Sequence, residues 1–242
     1  KSKINIMAIG SSSTYRYFVP AVLYDKYGIY SQVVADASTS GKMIKYYIAE
    51  AEKRYDPDMY VVELRWFIKK QVQPIRNKRN LNNAYRDVIK IKTSSIRTSA
   101  AVEMLNIGLT GDNVLSAAEL KQSNPKWFDT SNCTGLFDGS DKLNGYRISA
   151  GYKKLADADY SGVTAKKEFS QATEADLRSL LEYCKSNGIK VLFTLSPYAT
   201  TEDDMMLHNQ AASIVKSYGY TLFDANKKLG AIGIDYSTDF YN

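Results

Sequence analysis

Histidine, cysteine and proline are scarce in this sequence of 242 residues, which contains one histidine, two cysteines and five prolines. Cys133 and Cys184 are far apart, form no CxxC pair and have no nearby histidine, so neither a metal site nor a disulfide framework is indicated. No cluster of His, Cys, Asp or Glu has ligand spacing, and we therefore expect no metal and no organic cofactor. Cys184 lies on the apolar face of a predicted helix, which indicates a core position.

Long apolar runs are also missing. No uninterrupted stretch approaches the roughly 20 residues that a membrane span needs, so we expect no span in this chain. The chain begins KSKINIM, without an initiator Met or a signal peptide, and we expect that an upstream leader or anchor has been lost. Hydrophobic residues at 44% and charged residues at 24% are ordinary globular values, and the length predicts one domain over residues 1–242.

The net charge of +6 is not concentrated in one part of the chain. Basic runs are short, as at residues 69–70 and 76–79, which favours a solvated surface and predicts no nucleic-acid partner. The 19 tyrosines exceed what a core requires. They are compatible with a sugar-binding or other polar cleft, and also with ordinary half-buried packing.

Strand and helix patterns alternate along most of the chain. Five short segments rich in β-branched and aromatic residues predict buried strands at residues 4–9, 31–36, 59–64, 190–195 and 220–225. Apolar residues at helical spacing predict helices at residues 41–54, 172–187 and 202–217, the second of them capped by Thr173. This alternation predicts an α/β fold of three layers, flavodoxin-like, with a five-stranded parallel sheet and helices on both faces.

Residues 70–168 interrupt the alternation after the third strand. They contain a predicted helix at 83–105, another at 112–122, and then a polar stretch rich in Gly and Asp. No linker composition separates them, so we interpret them as an insertion within the same domain. Insertions of this kind commonly lie over the carboxyl ends of the strands, where open α/β sheets bind ligands.

The first predicted strand ends in a run of hydroxyl side chains, IGSSST, in which Gly10 permits a tight turn. One interpretation is a helix cap, and local chemistry alone favours it. A phosphate site is a second, although neither GxGxxG nor GxxxxGK[ST] is present. A nucleophilic serine is the third.

A second loop of small residues, VADASTSG, follows the neighbouring strand at residues 34–41. Together the two loops resemble the SGNH, or GDSL-type, hydrolase superfamily. Its Gly-Asp-Ser-hydrophobic-Thr block matches residues 10–14 and places the nucleophile on Ser12, leaving Ser11 and Ser13 as turn and cap residues. Its Asn-Ala-Gly-x-x-Gly block matches residues 36–41 and places the oxyanion-hole glycine on Ser38, whose backbone amide can serve equally.

The resemblance extends to residues 3–68 and 165–242, through segments such as FVPAVLYDKYGI and GIKVLFTLSPY, and is closest to a bacterial branch of the superfamily. It implies an ester substrate, either a small molecule or a polysaccharide, with O-acetyl groups of carbohydrate or cell-envelope polymers as the expected target. It also implies a location in the bacterial cell envelope. Ser13, Gly41 and Trp66 are then expected to contact the substrate.

The chain departs from the family pattern after the third strand. The family has Gly-x-Asn-Asp there, with the Asn in the oxyanion hole, whereas residues 62–67 read VELRWF. Arg65 stands at this strand end. It is a candidate for stabilising an oxyanion, for binding an anionic group of the substrate, or for a salt bridge with Glu63 or another acid.

A second departure concerns the general base. The family block Asp-x-x-His would place its histidine about three residues beyond Asn242, with Asn242 at the aspartate position or Asp239 in its place. The single histidine, His208, is interpreted as a surface residue far from the fifth strand end. Without a base, Ser12 is a weak nucleophile.

Three functions are compatible with this pattern. The first is an SGNH-type serine esterase or O-acyltransferase, with hydrolysis and acyl transfer both open. The second is a non-catalytic module that keeps the SGNH fold and binds carbohydrate, favoured by the lost Asn and His blocks. The third, flavodoxin-like nucleotide binding, shares the sheet but has no phosphate loop.

Overall fold

The computed structural model describes residues 3–65, 68, 78–137, 143–148, 159–235 and 239. The strands are β1 (Ile6–Gly10), β2 (Ser31–Ala35), β3 (Met59–Glu63), β4 (Val191–Leu195) and β5 (Thr221–Asp224). The helices are α1 (Thr14–Tyr17), α2 (Pro20–Tyr27), α3 (Ile44–Arg54), α4 (Lys78–Val88), α5 (Ser94–Leu105), α6 (Ala117–Ser123), α7 (Pro125–Phe128), α8 (Gln171–Ser186) and α9 (Glu202–Ser217).

The five strands form one parallel sheet in the order β2-β1-β3-β4-β5. The predicted fold, α/β and flavodoxin-like with a five-stranded parallel sheet, is confirmed, and each strand lies within two residues of its predicted bounds. Because all strands run the same way, every loop that follows a strand begins at one edge of the sheet. In that edge Gly10 is paired with Ala35, and Glu63 with Thr194.

Both faces of the sheet are covered, as the apolar composition of the strands requires. Successive residues of a strand point to opposite faces. Met7 belongs to the main hydrophobic cluster, which includes Tyr47 of α3 and Leu177 of α8. Ala8 belongs to a smaller cluster with Tyr15 of α1.

The predicted helices on either side of β4 are confirmed, with one correction at a cap. Ser170, not Thr173, is the N-cap of α8: its hydroxyl accepts the Thr173 amide, and the Thr173 side chain is buried inside the first turn. Cys184 is fully buried, as predicted, and burial raises the pKa of its thiol to about 12.

The predicted helix at 83–105 is wrong as a single element, because the chain breaks it into α4 and α5. The buried carboxylate of Glu50 accepts the backbone amides of Lys92 and Thr93 at 2.9 and 3.2 Å, and these two residues lie in the connection between the helices. Helix α6 begins at Ala117, after a capping box between Ser116 and Glu119.

Buried residues of the described insertion, such as Val88 and Trp127, pack in the same hydrophobic cluster as the strands. The assignment of residues 1–242 to one domain stays a prediction. A separate piece of the insertion, residues 143–148, lies along the outer edge of β2. There Asn144 and Gly145 adopt positive φ angles, and the Asn144 carbonyl accepts the Val33 amide at 2.9 Å. None of the helices in the described ranges is both long and apolar enough to cross a membrane.

Candidate functional site

The serine loop follows β1 at the carboxyl edge of the sheet, and its three hydroxyls have different surroundings. Ser13 donates a hydrogen bond to Glu63 Oε2 at 2.7 Å, and the Ser11 hydroxyl is 3.3 Å from that of Ser13. Ser13 stands at the N-cap position of α1, as predicted, but its hydroxyl makes no cap bond to the helix. Ser12 is half-buried, and its hydroxyl bonds to no group in the described part of the chain.

Glu63, the last residue of β3, is the centre of this edge. Its side chain is 1% exposed, and its carboxylate accepts four hydrogen bonds. Oε2 accepts the Ser13 hydroxyl, and Oε1 accepts the Arg65 amide and both the amide and the hydroxyl of Ser196. Burial raises the pKa of Glu63, while these hydrogen bonds act in the opposite direction. From the sequence, Glu63 is expected only as a candidate salt-bridge partner of Arg65. The one sequence feature that points to its central role is an acidic residue at the end of an apolar strand.

Arg65 does not form the salt bridge with Glu63 that was considered for it. Its backbone amide contacts the Glu63 carboxylate, whereas its guanidinium carbon lies 3.9 Å from the centre of the Tyr198 ring. Within the described ranges this guanidinium has no ion-pair partner. Guanidinium groups stack favourably on aromatic faces and keep their N–H edge available for other partners.

The interpretation of His208 as a surface residue far from β5 is wrong. His208 is 1% exposed, and its Nδ1 lies 3.0 Å from Oδ2 of Asp224, the last residue of β5. Its Nε2 lies 2.9 Å from the hydroxyl of Tyr198. The polar partners on both ring nitrogens explain how the imidazole can be buried in α9.

The Asp224 carboxylate is fixed on both of its oxygens. Oδ1 accepts the backbone and side-chain N–H groups of Asn226 at 3.0 Å, and Oδ2 faces His208. Burial opposes ionisation, yet the hydrogen bonds from His208 and Asn226 lower the pKa of Asp224 overall. Burial raises the pKa of Tyr198, so its hydroxyl keeps its proton. The Asp224 carboxylate can only accept, so the Nδ1–H group of His208 donates to it, while Nε2 shares a hydrogen bond with the Tyr198 hydroxyl.

Asn226 joins these two groups of residues into one network. Its Oδ1 accepts the Tyr198 amide at 2.9 Å, and its Nδ2 donates to the Ser196 carbonyl at 3.1 Å. Ser196 in turn contacts Glu63. Hydrogen bonds thus connect the carboxyl ends of β1, β3, β4 and β5.

The loop after β2 carries Ser38, which has a φ angle of 64°. This left-handed conformation favours glycine, the residue that the SGNH pattern has at this position. Gly41 begins a short 3-10 helix that leads into α3. Helix α4 of the insertion contacts the same loop, since Asp87 accepts the Ser40 amide at 3.4 Å and Arg86 pairs with Asp36 at 3.0 Å.

Asp87 should make stability depend on pH. Burial raises its pKa from 3.8 to about 6, against the opposing effect of Lys90 and Arg86. The folded protein therefore holds this proton more tightly than the unfolded chain, and the contribution of Asp87 to stability falls as pH rises through this range. We expect Asp87→Asn to gain about 2 kcal/mol of unfolding free energy relative to wild type between about pH 4 and pH 7.5, measured by urea unfolding.

Asp58→Asn is the control for this measurement, because Asp58 is exposed and its hydrogen bonds to Lys3 and Asn5 lower its pKa. The Asp58 carboxylate is ionised in both the folded and the unfolded protein across most of this pH range. The unfolding free energy of Asp58→Asn, plotted against pH, should therefore run parallel to that of wild type. Parallel curves for wild type and Asp87→Asn would contradict the prediction.

Two other predicted site residues lie at the margins of the structure. Asp239 is exposed, and its carboxylate accepts the Asp235 amide at 2.7 Å. Trp66, like Asn242, lies outside the described residues. No group of three or more His, Cys, Asp or Glu side chains in the described ranges is arranged to hold a metal ion.

The site therefore consists of an unbonded serine between two bonded ones, a neighbouring loop with a left-handed serine, and a buried polar network that reaches an arginine. Comparison of the chain with protein-family models, curated proteins and solved structures gives no match.

Proposed function

We propose that this chain is an SGNH-type serine esterase or O-acyltransferase. Ser12 is the nucleophile, and the Ser38 backbone amide binds the oxyanion of the tetrahedral intermediate. The substrate class is an ester of a carbohydrate or cell-envelope polymer, with O-acetyl groups as the expected acyl groups, in keeping with a bacterial and extracytoplasmic setting. Both the substrate and the setting follow from the resemblance of the two loops to that superfamily.

The contrast among the three serines is the observation that carries the proposal. Ser13 is hydrogen-bonded to Glu63, and Ser11 contacts Ser13, whereas the Ser12 hydroxyl bonds to nothing in the described ranges. A nucleophile must have its oxygen available for attack and for a general base. The residue that the family pattern selects is also the one whose hydroxyl is available.

The two loops start side by side, which supports the role of Ser38. Gly10 and Ala35 are paired residues at the ends of adjacent strands, so the loop bearing Ser12 and the loop bearing Ser38 begin next to each other. The positive φ of Ser38 gives its backbone the conformation of a glycine. An amide donor preorganised near the reacting carbonyl stabilises the charge that develops on its oxygen.

In the proposed reaction, Ser12 Oγ forms a bond to the ester carbonyl carbon while a general base removes its proton. The resemblance implies that this base is the histidine of the family's Asp-x-x-His block, which is not among residues 1–242. The carbon–oxygen bond of the ester then breaks, and the histidine returns the proton to the leaving alkoxide. Water or an acceptor hydroxyl next attacks the acyl-enzyme and releases Ser12. His208 is not this base, because Asp224 and Tyr198 occupy both of its ring nitrogens.

A serine-directed fluorophosphonate tests the proposal in the protein at its natural length. We expect one covalent adduct, mapped to Ser12 by peptide mass spectrometry, because only an activated serine displaces fluoride from phosphorus. Ser12→Ala should abolish labelling. Ser11→Ala is the matched control and should keep it, since Ser11 has only a 3.3 Å contact with Ser13. A folded protein that is not labelled at Ser12 would contradict the nucleophile assignment.

The second candidate is a non-catalytic SGNH-fold module that binds carbohydrate. It is favoured by the position of the chain's single histidine, which is committed to Asp224 and Tyr198 and does not contact Ser12. A glutamate near the position of the family's oxyanion-hole asparagine also favours it. Binding of a polysaccharide without any fluorophosphonate labelling would support this candidate over the enzyme.

A further inference from the structure

Arg65 is half-buried at the carboxyl edge of the sheet, and its guanidinium lies on the Tyr198 ring without an ion-pair partner in the described ranges. The two nearest strand-end carboxylates have other partners: Glu63 receives Ser13, Ser196 and the Arg65 amide, and Asp224 receives Asn226 and His208. Neither of these carboxylates forms an ion pair with the Arg65 guanidinium.

The aromatic support beneath the guanidinium is fixed. Tyr198 is 5% exposed, its amide bonds to Asn226, and its hydroxyl bonds to His208, which is held in turn by Asp224. The Tyr198 ring is therefore held in one orientation beneath the guanidinium, and an aromatic face in this position attracts a cation.

The strand order separates Arg65 from the proposed oxyanion loop. Ser38 follows β2, on one side of the serine loop after β1. The guanidinium of Arg65 is drawn toward Tyr198, which follows β4, on the other side. This placement favours a contact with a remote part of the substrate over a contact with the reacting carbonyl.

We propose that Arg65 binds an anionic group of the substrate, a carboxylate or a phosphate, and that Tyr198 and His208 are positioning residues that hold its guanidinium in place. A guanidinium presents paired N–H donors that match either group. The inference rests on the proposed function and narrows its substrate class to esters on anionic molecules.

Binding of sodium glucuronate and of inorganic phosphate tests the proposal, with glucose as the neutral probe and ionic strength held constant. We expect at least one of the two anions to shift the side-chain Nε signal of Arg65 in a saturable NMR titration, and glucose not to shift it. Which anion binds more tightly identifies the carboxylate or the phosphate as the recognised group. If neither anion binds to the folded protein, the proposal is wrong.

Substitutions then assign the binding to Arg65. Arg65→Gln should weaken anion binding about tenfold or more. Because this variant has no Arg65 side-chain signal, the titration is followed on the NMR signals of neighbouring backbone amides. Arg178→Gln removes the same charge from an exposed arginine of α8 that pairs with Glu174, and it should leave the affinity unchanged. An equal loss in both variants would show nonspecific charge attraction and overturn the proposal.

Two variants of Tyr198 test whether its aromatic ring positions the guanidinium or whether the side chain only stabilises the fold. Tyr198→Phe keeps the ring under the guanidinium and should lose about threefold in affinity, whereas Tyr198→Leu should approach the loss seen for Arg65→Gln. Circular dichroism establishes that each variant is folded. Equal affinities of the two variants would overturn the positioning role. Failure of the fluorophosphonate to label Ser12 leaves this outcome unaffected, because anion binding requires no nucleophile.

Discussion

Glu63→Ala should lower the unfolding free energy by about 4 kcal/mol, since it leaves several buried donors without an acceptor. The Ser196 amide and hydroxyl, the Arg65 amide and the Ser13 hydroxyl all donate to this one carboxylate. No other acceptor can reach all of them once the side chain is truncated to a methyl group. Urea unfolding at neutral pH measures the loss.

Glu63→Gln is the matched variant, because its amide oxygen can replace Oε1 as acceptor for Ser196 and Arg65 while its NH2 group donates to Ser13. We expect it to remain within about 1 kcal/mol of wild type. Because burial raises the pKa of Glu63, the difference in unfolding free energy between wild type and Glu63→Gln should also depend on pH. The wild-type contribution falls as pH rises above the ordinary glutamate value, so the glutamine variant should gain relative stability toward neutral pH. Equal losses for Ala and Gln would contradict the central role of these hydrogen bonds.

Gly10→Ala should be the second severe change, with a loss of about 3 kcal/mol, near the upper end of what overpacking costs. A Cβ atom at Gly10 would overlap with the Oγ1 atom of Thr14 and lie 3.0 Å from the Cβ of Glu63. Thr14 is fully buried and β-branched, so rotating its side chain replaces one clashing atom with another. Thermal and urea unfolding both measure the effect.

The double variant Gly10→Ala/Thr14→Ala distinguishes this clash from a general intolerance of the turn. Removing the Thr14 hydroxyl should recover about 1 to 2 kcal/mol of the loss, as expected for two side chains in direct contact. Thr14→Ala alone should cost little, because its Oγ1 is buried without a hydrogen-bond partner in the described ranges. Strictly additive losses would indicate that the overlap is relieved by a movement of the backbone.

The sheet could be predicted because the information for each strand is local. β1 and β4 are apolar runs of five residues between polar or glycine-containing segments, and burial on both faces requires that composition. Helix α9 was equally predictable from its apolar spacing, and the structure adds a capping box of Thr201 and Asp204 at its start. In these elements the composition of a short segment decides the structure.

The polar network was not predictable because its members are paired across the chain. Ser13, Glu63 and Ser196 come from three different strand ends, and no spacing in the sequence relates them. His208 shows the same limit: a polar residue in a helix is normally exposed, and only the partners Tyr198 and Asp224 make burial favourable. The split of the 83–105 helix likewise depends on Glu50, which lies in an earlier helix.

The strand order has a consequence for how the protein folds. Residues 6–63 contain β1, β2 and β3, so these strands can pair before the rest of the chain is ordered. Pairing of β3 with β4 must first close a loop formed by residues 64–190, and long loops of this kind slow folding. Glu63 can therefore bond to Ser13 early, but it receives the Ser196 amide and hydroxyl only when β4 arrives. The two serine loops thus follow strands that can pair first, while the polar network on the other side of the site depends on closure of the long loop.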